Sequence, residues 1–260
     1  MARFVLFGPG YTGTRILCAL QRGGWQVDAI RRETPPDMVR AALKRATHVL
    51  STVPPGEGGD PVLAVHGAAI GRLAWIGYLS STGVYGDTGG AWVDESAVLS
   101  GRRGGRIGAD KDWAAIGAHV FRLPGIYGPG RAMLDRLRAG QAHRIDLPGQ
   151  VFCRIHVDDI VRGVFAAIDR DAAGIYNLTD DLPAPQNEVV GHGCQLLGLP
   201  LPPLRTIEQL DLSAAARAFY GENRRVANGK ARRLLGWRPL YPTYREGLAA
   251  VLHQDSISPV

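Results

Sequence analysis

The stretch Arg3-Phe4-Val5-Leu6-Phe7-Gly8-Pro9-Gly10-Tyr11-Thr12-Gly13-Thr14 decides the fold. Arg3 to Phe7 holds a short apolar run that glycines stop at once, the pattern of a strand buried on both faces. From Thr14 to Gln21 the spacing turns helical, with Ile16, Leu17 and Leu20 on one side. Between the two lies a G-x-G-x-x-G, a weak signal alone in a chain with 34 glycines. Set between a strand and a helix, each glycine has a physical task. Gly8 permits the tight turn, Gly10 lets backbone approach a pyrophosphate, and Gly13 lets the helix pack on the strand. The free N–H groups of the first helical turn, at Tyr11, Thr12 and Gly13, then face the phosphates with the positive end of the helix dipole behind them.

Outward from this nucleus, strands and helices alternate. Trp25–Ile30, Thr47–Val53, Ala74–Ser81, His119–Leu123 and Gly174–Leu178 read as strands. Met38–Arg45, Val62–Leu73 and Val157–Ile168 read as helices. The alternation predicts an α/β fold: a Rossmann-type, doubly wound parallel sheet with right-handed crossovers. After Thr179 the strand signal fades and prolines punctuate helical pieces such as Gln186–Leu197. A smaller, mainly helical C-terminal lobe is therefore expected. Residues 1–179 form the nucleotide domain, 180–260 the substrate-binding lobe, and 131–149 leave the sheet to join that lobe.

The end of the second strand selects the cofactor. An acid there accepts from a ribose 2′-hydroxyl, whereas a guanidinium suits a 2′-phosphate through charge-assisted, often bidentate bonds. Ile30 is followed by Arg31 and Arg32, with Glu33 close behind. NADP(H) is favoured on this reading and NAD(H) is the alternative. A phosphate loop ending G-K-[ST] is absent, which speaks against kinase-like chemistry.

Composition excludes other classes. The net charge is +6, but only Lys44, Lys111 and Lys230 are lysine and the arginines are spread through the chain. The charge reads as solvated faces rather than a nucleic-acid surface. No apolar run approaches the roughly 20 residues that span a bilayer. Cys18, Cys153 and Cys194 are an odd, widely spaced trio without a C-x-x-C, so no zinc site or disulfide framework is expected. His192 and Cys194 lie close together, yet no third ligand stands at useful spacing, so no metal is expected. Reduced thiols imply a cytoplasmic protein. A small-molecule substrate is the partner implied, without nucleic acid or membrane, and a homodimer is left open.

Five further segments carry a resemblance. They are Leu79-Ser80-Ser81-Thr82-Gly83-Val84-Tyr85-Gly86-Asp87, Arg122-Leu123-Pro124-Gly125-Ile126-Tyr127-Gly128-Pro129-Gly130-Arg131, Ile155-His156-Val157-Asp158-Asp159-Ile160, Gly174-Ile175-Tyr176-Asn177-Leu178 and Leu235-Gly236-Trp237-Arg238-Pro239. In this order they resemble the extended short-chain dehydrogenase/reductases, the NAD(P)-dependent epimerase/dehydratase superfamily. Two departures place the likeness with its atypical branch. The family's G-x-x-G-x-x-G would begin at position 7, which is Phe7. Its Tyr-x-x-x-Lys pair is missing, because the lysines would need tyrosine at positions held by Arg40, Ile107 and Val226.

The resemblance implies an oxidoreductase or epimerase/dehydratase acting on a nucleotide-sugar or other small hydroxyl/carbonyl compound. It places Ser81 against the substrate oxygen, and Thr52, Val53, Pro54 and Pro124 beside the cofactor. Arg131, Arg154 and His156 fall near the substrate. Tyr85 and Tyr127 fall near the nicotinamide, where either phenol becomes a proton donor if Arg106, Lys111 or Arg131 lowers its pKa. The missing tyrosine–lysine pair keeps a second reading open, a dinucleotide-binding sensor with a decayed catalytic centre.

Overall fold

A computed structural model describes residues 2–257. Six strands form one parallel sheet: β1 (Arg3–Phe7), β2 (Gln26–Ile30), β3 (His48–Ser51), β4 (Trp75–Ser81), β5 (His119–Leu123) and β6 (Gly174–Asn177). Their spatial order is β6-β5-β4-β3-β1-β2. Crossovers α1 (Tyr11–Arg22), α2 (Pro36–Arg45), α3 (Pro61–Ile70) and α4 (Gly104–Ala115) link the first five strands. The chain leaves β1 to one side for β2 and returns on the other for β3, so the winding direction reverses between β1 and β3. The crevice above such a switch point is where open α/β sheets bind ligands, and the Gly8–Gly13 turn opens into it.

Alternation along β1 builds a core on both faces. Phe4 and Leu6 pack with Ile16 and Leu20 of α1, and with Ile160 and Val164 of a later helix. Val5 and Phe7 point the other way, to Val39, Leu43, Val62, Ala109 and Trp113.

Beyond β5 the chain forms α5 (Met133–Arg138), α6 (Val157–Arg170) and, after β6, α7 (Gln186–Leu197), α8 (Ala214–Tyr220), α9 (Gly229–Leu234) and α10 (Tyr244–Ile257). Leu134 of α5, Val189 of α7 and Leu248 and Val251 of α10 share a second core. The two-residue strand Arg144–Ile145 pairs with Leu204–Arg205. Residues near the C-terminus, expected in a separate lobe, contribute to the main-sheet core. Ala231, Leu235 and Trp237 pack into the core under the main sheet, and the Trp237 indole donates to the carbonyl of Asp159 at 3.0 Å. Among the described residues, no helix is long and apolar enough to cross a membrane, and no cluster of three His, Cys, Asp or Glu could hold a metal.

Candidate functional site

The glycine turn is built as a cradle. Gly8 has φ +77°, and a Cβ there would meet Val53 Cγ2 at 2.9 Å. A Cβ on Gly13 would fall 2.6 Å from the Gly8 carbonyl oxygen, so only glycine lets the first turn of α1 lie on the end of β1. Gly10 is different: nothing in the protein lies within 4 Å of its would-be Cβ. Gly10 is also the N-cap of α1, with no side-chain cap and no acid in the first turn. The N–H groups of Tyr11, Thr12 and Gly13 have no partner within the helix, and all three residues line the cleft. The Thr52 hydroxyl donates to the Gly8 carbonyl and locks β3 to the turn. These residues fit a pyrophosphate: donors, a positive helix end and room for the ligand's backbone approach.

The cradle opens into a cleft of about 1460 Å³ along the carboxyl edge of the sheet. Thr52, Val53 and Pro54 form its floor after β3. Arg31, Arg32 and Glu33 line it after β2, Ser81 and Pro124 at the ends of β4 and β5, and Arg131 lines it as well. Arg31 and Arg32 are exposed, and among the described residues neither guanidinium has an ion-pair partner. The Arg31 N–H donates to Thr34 Oγ1 at 2.9 Å, which bends the chain after β2.

Ser81 closes β4. Its Oγ accepts from the Gly83 N–H at 3.1 Å, leaving the hydroxyl hydrogen uncommitted among the described residues. Ser80 beside it donates to Asp110 Oδ2 at 2.6 Å. Asp110 sits on α4 and pairs with Arg122 of β5 at 2.6 Å, not with Arg106. Arg106 instead lines the cleft, carried by the first turn of α4. That turn presses so closely on the loop after β3 that a Cβ on Gly105 would lie 2.2 Å from the Gly56 carbonyl oxygen. Sequence reasoning assigned no element to this stretch, so it missed both the Asp110–Arg122 pair and the helix that delivers Arg106.

Several residues singled out by the resemblance lie outside the cleft. Tyr85 is fully buried; its hydroxyl donates to Asn177 Oδ1 at 2.7 Å and accepts from Arg122 at 3.0 Å. Burial raises its pKa despite the neighbouring guanidinium. It is a bonded core residue, not a proton donor to the cleft. Tyr127 packs in the second core with Tyr244 and Leu248, its ring edge-on to His156 at 5.2 Å. Its hydroxyl has no hydrogen-bond partner among the described residues, and burial pushes its pKa up. Neither phenol lines the cleft, so neither candidate donor stands where the resemblance put it.

Arg154 is buried. It donates to the carbonyls of Phe152 and Ala184 at 2.8 and 3.1 Å and to Gln186 Oε1 at 2.8 Å. Its donors are spent holding the chain into the second lobe. His156 is fully buried and caps α6, its Nδ1 accepting from the Asp158 N–H at 3.2 Å. Burial pushes its pKa down to about 4, so the ring is neutral. Of the three expected substrate contacts, Arg131 alone reaches the cleft. Its guanidinium lies 5.5 Å from the centroid of the Tyr11 ring, beside the cradle.

Switch-point sheet, glycine cradle and serine-ended β4 define a Rossmann-type scaffold. The chain shares that fold with solved epimerases and with a human epimerase family protein, all at under 25% identity. It is 41% identical to a functionally unknown conserved protein of Silicibacter pomeroyi, over 98% of this chain and 99% of that one, with a TM-score of 0.88. Human epimerase family protein SDR39U1 (isoform2), solved with NADPH, shares the fold: TM-score 0.82 over 96% of this chain and 99% of that one, at 17% identity. A 3-diazoavenalumate denitrifying reductase from a Streptomyces species is 33% identical over 157 residues, 55% of this chain. That match spans about half of the relative's length, 49%. No family model matches the chain.

Proposed function

We propose that the chain is an NADP(H)-dependent oxidoreductase. Its substrate is a nucleotide-sugar or another small hydroxyl/carbonyl compound, bound in the cleft above Ser81. The observation that carries this is the pairing of an open amide cradle at Gly10 with two guanidiniums, Arg31 and Arg32, at the end of β2 that have no ion-pair partner among the described residues. The 2′-phosphate of NADPH takes the guanidiniums and the pyrophosphate takes the amides. NADPH in the human structure of the same fold, and the reductase named among the relatives, both support this direction. The free thiols of Cys18, Cys153 and Cys194 support a reducing, cytoplasmic setting.

When bound, the nicotinamide supplies or takes the hydride. The chain's own residues orient the other reactant. Ser81 donates its uncommitted hydroxyl hydrogen to the substrate oxygen, and Arg106 carries positive charge into the same cleft to offset negative charge that develops there. Neither Tyr85 nor Tyr127 lines the cleft, so neither serves as the acid, and the proton comes from water. Removal of those phenols from the cleft also favours the second reading, a dinucleotide sensor without turnover.

One experiment separates the readings. The protein is titrated with NADPH and NADH, then assayed for coenzyme oxidation against a panel of aldehydes, ketones and nucleotide-sugars. Binding with turnover that falls about 100-fold in Ser81→Ala, at unchanged coenzyme affinity, supports the enzyme. Tight binding with no turnover on any compound supports the sensor.

A further inference from the structure

Resting on this cofactor reading, we propose that Arg131 grips the pyrophosphate of the dinucleotide, and that Tyr11 ties the loop carrying Arg131 to the phosphate cradle.

Tyr11 belongs to both parts. It is the first residue of α1, so its backbone N–H is one of the cradle's free donors. Its side chain leaves the cradle and reaches the loop between Tyr127 and Ala132. The phenol O–H donates to the Pro129 carbonyl at 3.2 Å. Burial raises the phenol's pKa, which keeps it a donor. The loop is shaped to receive it. Gly128 has φ +153°, and a Cβ there would stand 2.7 Å from both the Tyr11 hydroxyl and Val157 Cγ1. Three residues on, the Arg131 N–H closes the turn onto the Gly128 carbonyl at 2.9 Å.

This turn sets the Arg131 guanidinium on the Tyr11 ring, 5.5 Å from its centroid, a cation–π platform that limits its freedom. The guanidinium lines the cleft and has no ion-pair partner among the described residues. Arg122, Arg232 and Arg224, by contrast, are spent on Asp110, Asp181 and Glu222. An unpaired guanidinium, held by the residue that opens an amide cradle free of acids, makes one anion site of two parts. A dinucleotide brings two linked phosphates, more acceptor oxygens than three amides satisfy, and a guanidinium matches phosphate bidentately. The platform that holds Arg131 is Tyr11, whose own N–H belongs to the cradle, so the guanidinium and the amides stand side by side.

The test measures binding to the full-length protein and needs no substrate. Arg131→Ala, Arg131→Lys and Tyr11→Phe are titrated with NADPH, NADH, ADP-ribose and 2′-AMP. ADP-ribose carries the pyrophosphate without nicotinamide or 2′-phosphate; 2′-AMP carries only the 2′-phosphate. Arg131→Ala is expected to weaken NADPH, NADH and ADP-ribose by a common factor of about ten, the size of one partly exposed charge-assisted contact, and to leave 2′-AMP unchanged. Arg131→Lys recovers part of the loss as a point charge, and Tyr11→Phe loses a few-fold on the same three probes. An unchanged thermal midpoint of the ligand-free Arg131→Ala protein confirms that the fold is intact. Wild-type affinity for NADPH, NADH and ADP-ribose in Arg131→Ala overturns the assignment and leaves the cofactor reading standing. A wild-type protein that binds neither coenzyme overturns the cofactor reading, and the assignment with it.

Discussion

Asp110 and Arg122 meet at 2.6 Å with side chains 1% and 2% exposed, and the same carboxylate accepts the Ser80 hydroxyl. One ion pair thus pins α4, which carries Arg106, to the two strands that end at the cleft. Arg122 extends the network by donating to Tyr85 at 3.0 Å, and Tyr85 donates to Asn177 at 2.7 Å. Burial opposes the charge on Arg122, and Asp110 and Tyr85 more than offset that and hold its pKa above the usual value.

Removing one partner leaves the other charge buried alone. Asp110→Ala should therefore destabilise the protein by about 3–5 kcal/mol in urea unfolding, whereas Asp110→Leu with Arg122→Met should recover most of that loss. A loss under about 1 kcal/mol in the single variant would mean that the pair does not organise this edge of the sheet.

Coenzyme choice rests on the two arginines after β2. Arg31→Asp places a carboxylate where the 2′-phosphate is proposed to sit. NADPH affinity should fall by about 100-fold, the scale of a charge-assisted contact replaced by repulsion, and NADH affinity should fall little. Arg32→Asp should act in the same direction. Equal losses for the two coenzymes in both variants would remove the basis for preferring NADP(H).

The cradle and the sheet were legible because their causes are local. A strand, two close-packed glycines and a helix start lie within a dozen residues, and each glycine answers a nearby steric demand such as the 2.6 Å approach at Gly13. What was illegible depends on partners far along the chain. Helix α4 holds Gly104, Gly105 and Gly108, which blur its pattern; tertiary burial of Ala109, Asp110 and Trp113 holds it in place. Tyr85 looked like a cleft phenol because its motif gives the neighbourhood of a side chain but not its direction. Its partners, Arg122 and Asn177, come from two other strands. Arg154 failed for the same reason, its donors being taken by carbonyls on either side of it in sequence.

Gly10 separates fold from function. The space around its would-be Cβ is empty and its φ is −81°, which alanine adopts freely. Gly10→Ala should therefore leave stability within about 0.5 kcal/mol of wild type. The added methyl lies where the pyrophosphate must approach the backbone, so coenzyme affinity should drop by about 100-fold, with ADP-ribose following and 2′-AMP spared. Gly13→Ala should behave differently, losing stability as well, because its methyl meets the Gly8 carbonyl at 2.6 Å. Calorimetry on both variants with coenzyme titration checks the contrast; tight coenzyme binding by Gly10→Ala would move the phosphates elsewhere.

His156 and Asp159, three residues apart at the start of α6, set opposing pH dependences. The His156 ring is fully buried, and burial depresses its pKa to about 4. Asp158 pulls that value up and Arg15 pushes it down. Between the unfolded value near 6.5 and that folded value, the unfolded chain binds a proton that the folded protein refuses. The stabilising effect of His156 is complete above about pH 6.5 and is lost on acidification toward 4, by about 3 kcal/mol. Asp159 runs the other way. Burial lifts its pKa to about 6 although the Leu240 and Tyr241 N–H groups donate to it. Its effect is present below about pH 4 and fades as the pH rises through 6. In the wild type the two slopes offset each other across pH 4–6. His156→Asn keeps an oxygen to cap the Asp158 N–H and removes the titration. Unfolding free energies at pH 7 and 4.5 should then show the variant gaining about 2–3 kcal/mol on the wild type at the acidic pH. The same difference between the two proteins at both pH values would mean that His156 does not titrate as a buried neutral ring.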